Sequence, residues 1–148
     1  MVHLSRTFTV AAPTDAVHAF LADFAHAEAW DPGTVRCVRE DTGELRVGST
    51  WHNTSKIGPM TTELTYELSH LSSHEIVFTG HNKTATARDR IRLRAASPGH
   101  TEITYEATIT FNGAARLADP VMHLVFLRIA GQTVKQMTEV LEARATAA

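Results

Sequence analysis

Cysteine occurs once, as Cys37, in a chain of 148 residues. No disulfide can form within the chain, and a reducing compartment fits that usage. Long apolar runs are missing as well, since none reaches the ~18 residues that a membrane span needs. The opening Met1-Val2-His3-Leu4-Ser5-Arg6 has neither the basic start nor the apolar centre of a signal peptide. These absences lead to the expectation of a cytoplasmic protein with no stable membrane insertion. An excess of one charge is also lacking. The 14 Lys and Arg against 16 Asp and Glu leave a net charge of −2, too balanced for a surface built to hold nucleic acid.

Signatures of catalysis and metal binding are scarce. The nine histidines form no HExxH or HxH pair, and there is no CxxC, so no metal site is expected. His3, His18, His26, His70, His74 and His100 read as surface residues. No GxSxG occurs and nothing around Cys37 marks a nucleophile; it reads as an inert core thiol. No cofactor is expected.

What the chain does have is regular alternation. The length suits one domain, 1–148, able to bury ~70% of its unfolded surface. Leu4, Phe8 and Val10 alternate with Ser5, Thr7 and Thr9 as a first strand. Ala12-Pro13-Thr14-Asp15 opens a helix whose stripe is Val17, Phe20, Leu21 and Phe24, and a second short helical piece runs from Ala25 to Trp30. Asp31-Pro32-Gly33 stops it. Six strand-like runs follow, separated by short turns: Val35–Glu40, Val47–Ile57, Met60–Leu71, Glu75–His81, Thr84–Ala96 and His100–Asn112. Short turns make antiparallel neighbours, so this is a meander. A final helix is expected from Ala114 to about Ala143, with its first turn broken at Pro120. The fold class is α+β, in the order β-α-α-β6-α, with one sheet covering one long helix.

Parity assigns faces. Met60, Thr62, Leu64, Tyr66 and Leu68 point inward, as do Ala85, Ala87, Asp89, Ile91, Leu93 and Ala95. On the last strand Ile103, Tyr105, Ala107, Ile109 and Phe111 point inward, and on the third Val47, Trp51 and Asn53 do so. The alternating Arg88, Arg90, Arg92 and Arg94 point outward, where Glu102 and Glu106 can pair with them, so they read as a solvated charge ladder. On the final helix, ~100° per residue places His123 on the inner face in line with Leu127, Ala130, Val134 and Leu141. Arg116 and Asp119 share that face only if the helix begins before Pro120. Small side chains at Ala85, Ala87, Ala95 and Ala107 leave room between sheet and helix. An apolar hollow with a few convergent polar groups is the usual form of a small-molecule site. The expected lining is Trp51, Asn53, Tyr66, Asp89, Tyr105, Phe111, His123 and Leu127. Against it stands a plainer reading, in which Trp30 and Trp51 are packing residues and Asp89 and His123 are satisfied by their neighbours.

Several motifs resemble a known group. Phe8-Thr9-Val10-Ala11-Ala12-Pro13-Thr14-Asp15-Ala16-Val17, Leu21-Ala22-Asp23 and Trp30-Asp31-Pro32 resemble the opening of the START-like helix-grip (SRPBCC) superfamily, within its polyketide cyclase/dehydrase and lipid-transport group. Val47-Gly48 before Trp51, Thr65-Tyr66-Glu67-Leu68, Asp89 before an alternating strand, Gly99-His100-Thr101 with Thr104-Tyr105, and Leu117-Ala118-Asp119-Pro120 continue it over nearly the whole chain. The resemblance implies a seven-stranded curved antiparallel sheet gripping the C-terminal helix, with two short helices between strands 1 and 2 and a deep hydrophobic cavity. It implies binding of lipids, sterols, hormones or polyketides, and in a minority of members cyclisation and dehydration of polyketide chains.

Three functions follow as alternatives. The favoured one is binding of a small hydrophobic molecule under the helix. A second is a polyketide cyclase or dehydratase, with His123 or Asp89 as general acid/base and Tyr66 holding an enolate oxygen. A third is a dimerising interaction module, because Val121, Leu124, Val125 and Ile129 place an apolar patch on the side of the helix away from the sheet, to be covered either by the two N-terminal helices or by a second chain.

Overall fold

The computed structural model describes residues 1–147. β1 (Val2–Val10) leads into α1 (Thr14–Ala22), a 3-10 turn (Phe24–His26) and α2 (Ala27–Trp30). The meander then runs through β2 (Thr34–Arg39), β3 (Thr50–Ile57), β4 (Met60–Leu71), β5 (Glu75–His81), β6 (Ala85–Ser97) and β7 (His100–Phe111). A 3-10 segment (Gly113–Ala118) precedes α3 (Asp119–Ala147). Each meander strand lies beside its sequence neighbour, and β1 closes the series on β7, giving the order β1-β7-β6-β5-β4-β3-β2. The sheet is antiparallel and curved. α1 and α2 therefore bridge its two edges, while α3 packs on β1 and α2. No helix among the described residues is long and apolar enough to cross a membrane.

Alternation holds best where charge occupies the other face. Along β6, Ala87, Asp89, Ile91 and Leu93 are buried and Arg88, Arg92 and Arg94 are exposed. Outside, Arg90 meets Glu75 at 2.8 Å and Glu106 at 3.5 Å, Arg92 meets Glu106 at 3.5 Å and Arg94 meets Glu102 at 2.8 Å. Arg90, Arg92 and Arg94 are thus held by carboxylates of β5 and β7.

Three inward assignments fail at strand ends. Val47 is 55% exposed and precedes β3, because Gly48 takes a left-handed φ of 100° and Ser49 N–H closes a turn onto Arg46 C=O. Met60, 64% exposed, sits at the tip of the β3–β4 hairpin. Ala95 is exposed where a register shift separates Ala95 from Ser97. His18 and His26 are half-buried rather than on the surface, bonded to Ser72 C=O and Phe20 C=O, both at 2.7 Å.

The core has an aromatic centre. The Phe24 ring lies 4.5 Å from Tyr66 and 4.4 Å from Phe78, centroid to centroid, and meets Trp30 and Trp51 edge-on. α3 contributes Ala130, Thr133, Met137 and Leu141 as its fully buried residues. None of them precedes Ala130.

Candidate ligand cavity

Between the sheet and the first half of α3 lies a cavity of about 370 Å³, within the range of small-molecule sites. Its walls are largely apolar: Leu64 from β4, Ile109 and Phe111 from β7, and Met122, Phe126 and Ile129 from α3. The exposed residues Met60, Thr84 and Ala118 mark where it meets solvent. Polar residues line it as well, among them Asp31 and Asp89 with a carboxyl and Tyr66 and Tyr105 with a phenol hydroxyl.

Register brings the last three together. Asp89 stands opposite Ala107 on β7, and Tyr105, two residues along the same face of β7, donates its hydroxyl to Asp89 Oδ1 at 2.5 Å. Tyr66 comes from β4, two strands away. Its partner on β5 is Gly80, and the next residue across is Ala87, so nothing larger than a methyl group blocks its path toward Asp89. A Cβ on Gly80 would lie 2.6 to 2.7 Å from three atoms of the Tyr66 ring. The glycine is there for that close approach, not for an unusual backbone angle.

Burial dominates the electrostatics. It pushes the Asp89 carboxyl up to about 7, against the Tyr105 hydrogen bond that favours the charged form, with the nearby Asp31 adding to the rise. Asp31 is raised too, first by burial, although Thr34 Oγ1–H and Gly33 N–H donate to its two oxygens at 2.8 and 3.0 Å. Burial also lifts Tyr66 and Tyr105 well above the ordinary phenol value, and the Asp89 charge adds to that rise. All four groups therefore favour their protonated forms more than they would in water.

The expected site residues separate into three sets. Tyr66, Asp89, Tyr105 and Phe111 line the cavity together. Trp51 and Asn53 are buried at 0% and 1% exposure but stand behind the wall. Trp51 Nε1–H donates to Asp23 at 3.0 Å, and the ring packs against Phe24 and Phe78. Asn53 receives Ser55 Oγ–H and donates to Thr34 Oγ1 at 3.2 Å, which in turn holds Asp31. His123 and Leu127 are corrections. Both are exposed, Leu127 at 41%, and neither lines the cavity. The inner face carries Met122, Phe126, Ile129, Ala130 and Thr133 instead. Counting back from Leu141 and Met137 in steps of three and four reaches these residues. Starting the count at Val134, which is only half-buried, turns the helix by one residue. Arg116 lies in the 3-10 segment, exposed, with Nε–H donating to Phe111 C=O. Of the apolar patch, Val121 and Leu124 are exposed, Val125 is half-buried and Ile129 belongs to the cavity wall.

Asp31 is a cavity residue that sequence reasoning assigned only to a turn. Its carboxylate makes that turn by accepting from residues two and three further on. The signal that it does more is the buried Trp30 beside it, which carries the turn into the interior. Cys37 is buried, and burial pushes its thiol up to about 12, consistent with an unreactive core residue.

The family model described as polyketide cyclase / dehydrase and lipid transport matches residues 1–142. The chain belongs to that family. The cyclase/dehydrase and lipid-transport match thus covers both the sheet and most of α3. Solved structures with the same fold include a protein from Thermus thermophilus, 9% identical with a TM-score of 0.80 over 97% of this chain and 99% of that one. The Zhui aromatase/cyclase from Streptomyces sp. R1128 is 14% identical, with a TM-score of 0.74 over 97% and 93%. A START superfamily protein from Mycobacterium smegmatis is 15% identical, with a TM-score of 0.73 over 98% and 97%. The helix-grip architecture is shared with these; at such identities nothing finer is. No curated protein matches the sequence.

Proposed function

We propose that this family member binds a hydrophobic small molecule, a lipid or a polyketide, in the cavity under α3. The observation that carries the reading is the contrast within one enclosure. Its walls are largely apolar, while two carboxyls and two phenols, those of Asp31, Asp89, Tyr66 and Tyr105, converge on it from the turn after α2 and from β6, β4 and β7. Apolar walls supply affinity and convergent polar groups fix orientation. Native mass spectrometry of protein purified from its own host tests it. A retained small molecule, lost when Phe126→Glu fills the cavity with charge, is the expected result; a clean apo mass with no uptake of any lipid or polyketide counts against it.

A second reading, cyclisation or dehydration of a bound polyketide, has a specific observation in its favour. Asp89 is held near 7 by burial and is hydrogen-bonded to Tyr105, where a carboxyl both gives and takes a proton at neutral pH. In this reading Asp89 moves the proton and the Tyr66 hydroxyl holds the developing enolate oxygen. Turnover of a candidate poly-β-keto chain should fall at least about a hundredfold in Asp89→Asn. Turnover that survives this change rules the proton-transfer role out.

A further inference from the structure

We propose that the cavity's occupant is an apolar molecule bearing a basic nitrogen, with its ammonium group received by Asp31 and Asp89. This rests on the reading of the cavity as a ligand site and names the chemical class that the site prefers.

The argument starts from the charges facing the cavity. Two carboxyls do, Asp31 from the turn after α2 and Asp89 from the middle of β6. Among the described residues the one basic side chain that borders it is Arg88. Alternation along β6 puts Arg88 on the exposed face while Ala87 and Asp89 are buried. The carboxyls therefore face the interior with no cation of the protein's own. A metal ion is a poor fit, since no group of three or more His, Cys, Asp or Glu among the described residues is placed to hold one.

Acceptor capacity is left over. Asp89 is 8% exposed, and its Oδ1 takes the Tyr105 hydroxyl, but Oδ2 has no hydrogen bond within ordinary geometry. The Tyr66 hydroxyl, which also acts on this carboxyl, falls outside that geometry. Each oxygen of Asp31 accepts one hydrogen bond, and each keeps a second lone pair. An ammonium brings three donors and the missing charge at once. Tyr105 and Phe126 add aromatic rings to the same walls, and such rings attract cations. A neutral alcohol or ketone meets only part of this demand, and a carboxylate ligand meets repulsion.

Three ligands of matched chain length separate these possibilities: decylamine, which stays an ammonium across the range used, 1-decanol and decanoate. Binding to the purified protein is followed by titration calorimetry at about pH 5 and about pH 8. The expected order at the higher pH is amine, then alcohol, then carboxylate, with the amine favoured over the alcohol by about tenfold or more. That ratio should shrink several-fold at the lower pH, where Asp89 is protonated and Asp31, raised by burial, moves the same way. Asp89→Asn should lower amine affinity about tenfold and leave alcohol affinity within about twofold; Asp31→Asn should do the same. Because Asp31 also shapes its turn, the pH comparison on the unaltered chain carries the test if that variant misfolds. Alcohol binding as tight as amine binding at the higher pH, or decanoate binding tightest, overturns the assignment and leaves the cavity reading intact. Binding of none of the three overturns both.

Discussion

Tyr105 donates its hydroxyl to Asp89 at 2.5 Å inside a cavity wall that buries both residues to 8% exposure. The bond favours the carboxylate and burial favours the acid, and burial wins, holding Asp89 near 7. A group whose value rises on folding stabilises the fold while it is protonated and loses that contribution as pH climbs through the raised value.

The folded chain should therefore lose stability from Asp89 between about pH 4 and about pH 7. The rise from 3.8 to about 7 sets a ceiling of about 4 kcal/mol at ~1.4 kcal/mol per pH unit. Glu75 and Glu102 are lowered by Arg90 and Arg94 and slope the opposite way, so the quantity to follow is a difference. Urea unfolding of Asp89→Asn and of the unaltered chain should diverge by about 2–4 kcal/mol in the variant's favour between about pH 4 and about pH 8. A constant gap would mean that Asp89 ionises in the fold as it does in the open chain.

Gly80 is expected to be the least replaceable glycine. A methyl group there collides with the Tyr66 ring, which is itself pressed on its other side by Phe24 at 4.5 Å. The backbone at Gly80 is ordinary strand, so the damage is steric. Gly80→Ala should cost about 1–3 kcal/mol in denaturant unfolding. Tyr66→Phe leaves the ring in place and should not relieve it, whereas Tyr66→Ala should recover part of the loss in the double variant.

The two halves of α3 should respond differently to truncation. Met137 is fully buried, and Met137→Ala should cost about 2–5 kcal/mol. Met122 faces the cavity and is half-buried; Met122→Ala should cost about 1 kcal/mol or less while weakening ligand binding. His123 is exposed and lies outside the cavity lining, so His123→Ala should leave stability within about 0.5 kcal/mol and binding unchanged. Thermal melts with and without ligand separate the three.

The strands were legible because a two-residue period is marked on both faces. Glu63 and Glu67 declare the outside of β4 as firmly as Leu64, Tyr66 and Leu68 declare its inside, and the cavity positions of Tyr66, Asp89 and Tyr105 follow from that. The first half of α3 offered no such mark. From Val121 to Ile129 only His123 and Arg128 break the apolar run, so the phase had to be carried over from the far half. One residue of drift was enough to exchange Met122 and Phe126 for His123 and Leu127. Asp31 stayed hidden for another reason. An Asp before Pro-Gly satisfies every rule for a turn, and nothing local reports that the turn is folded inward.

That α3 buries no side chain fully before Ala130 makes it a cantilever. Its second half is clamped by Thr133, Met137 and Leu141, while its first half overhangs the hollow with Val121 and Leu124 in solvent. Beneath the overhang a bound molecule would supply packing that the polypeptide does not. Backbone amides from 113 to 129 should then exchange with solvent well before those from 133 to 141 in the empty protein. A bound molecule should slow the first group selectively, so that the occupant finishes a layer of core that the chain alone leaves open.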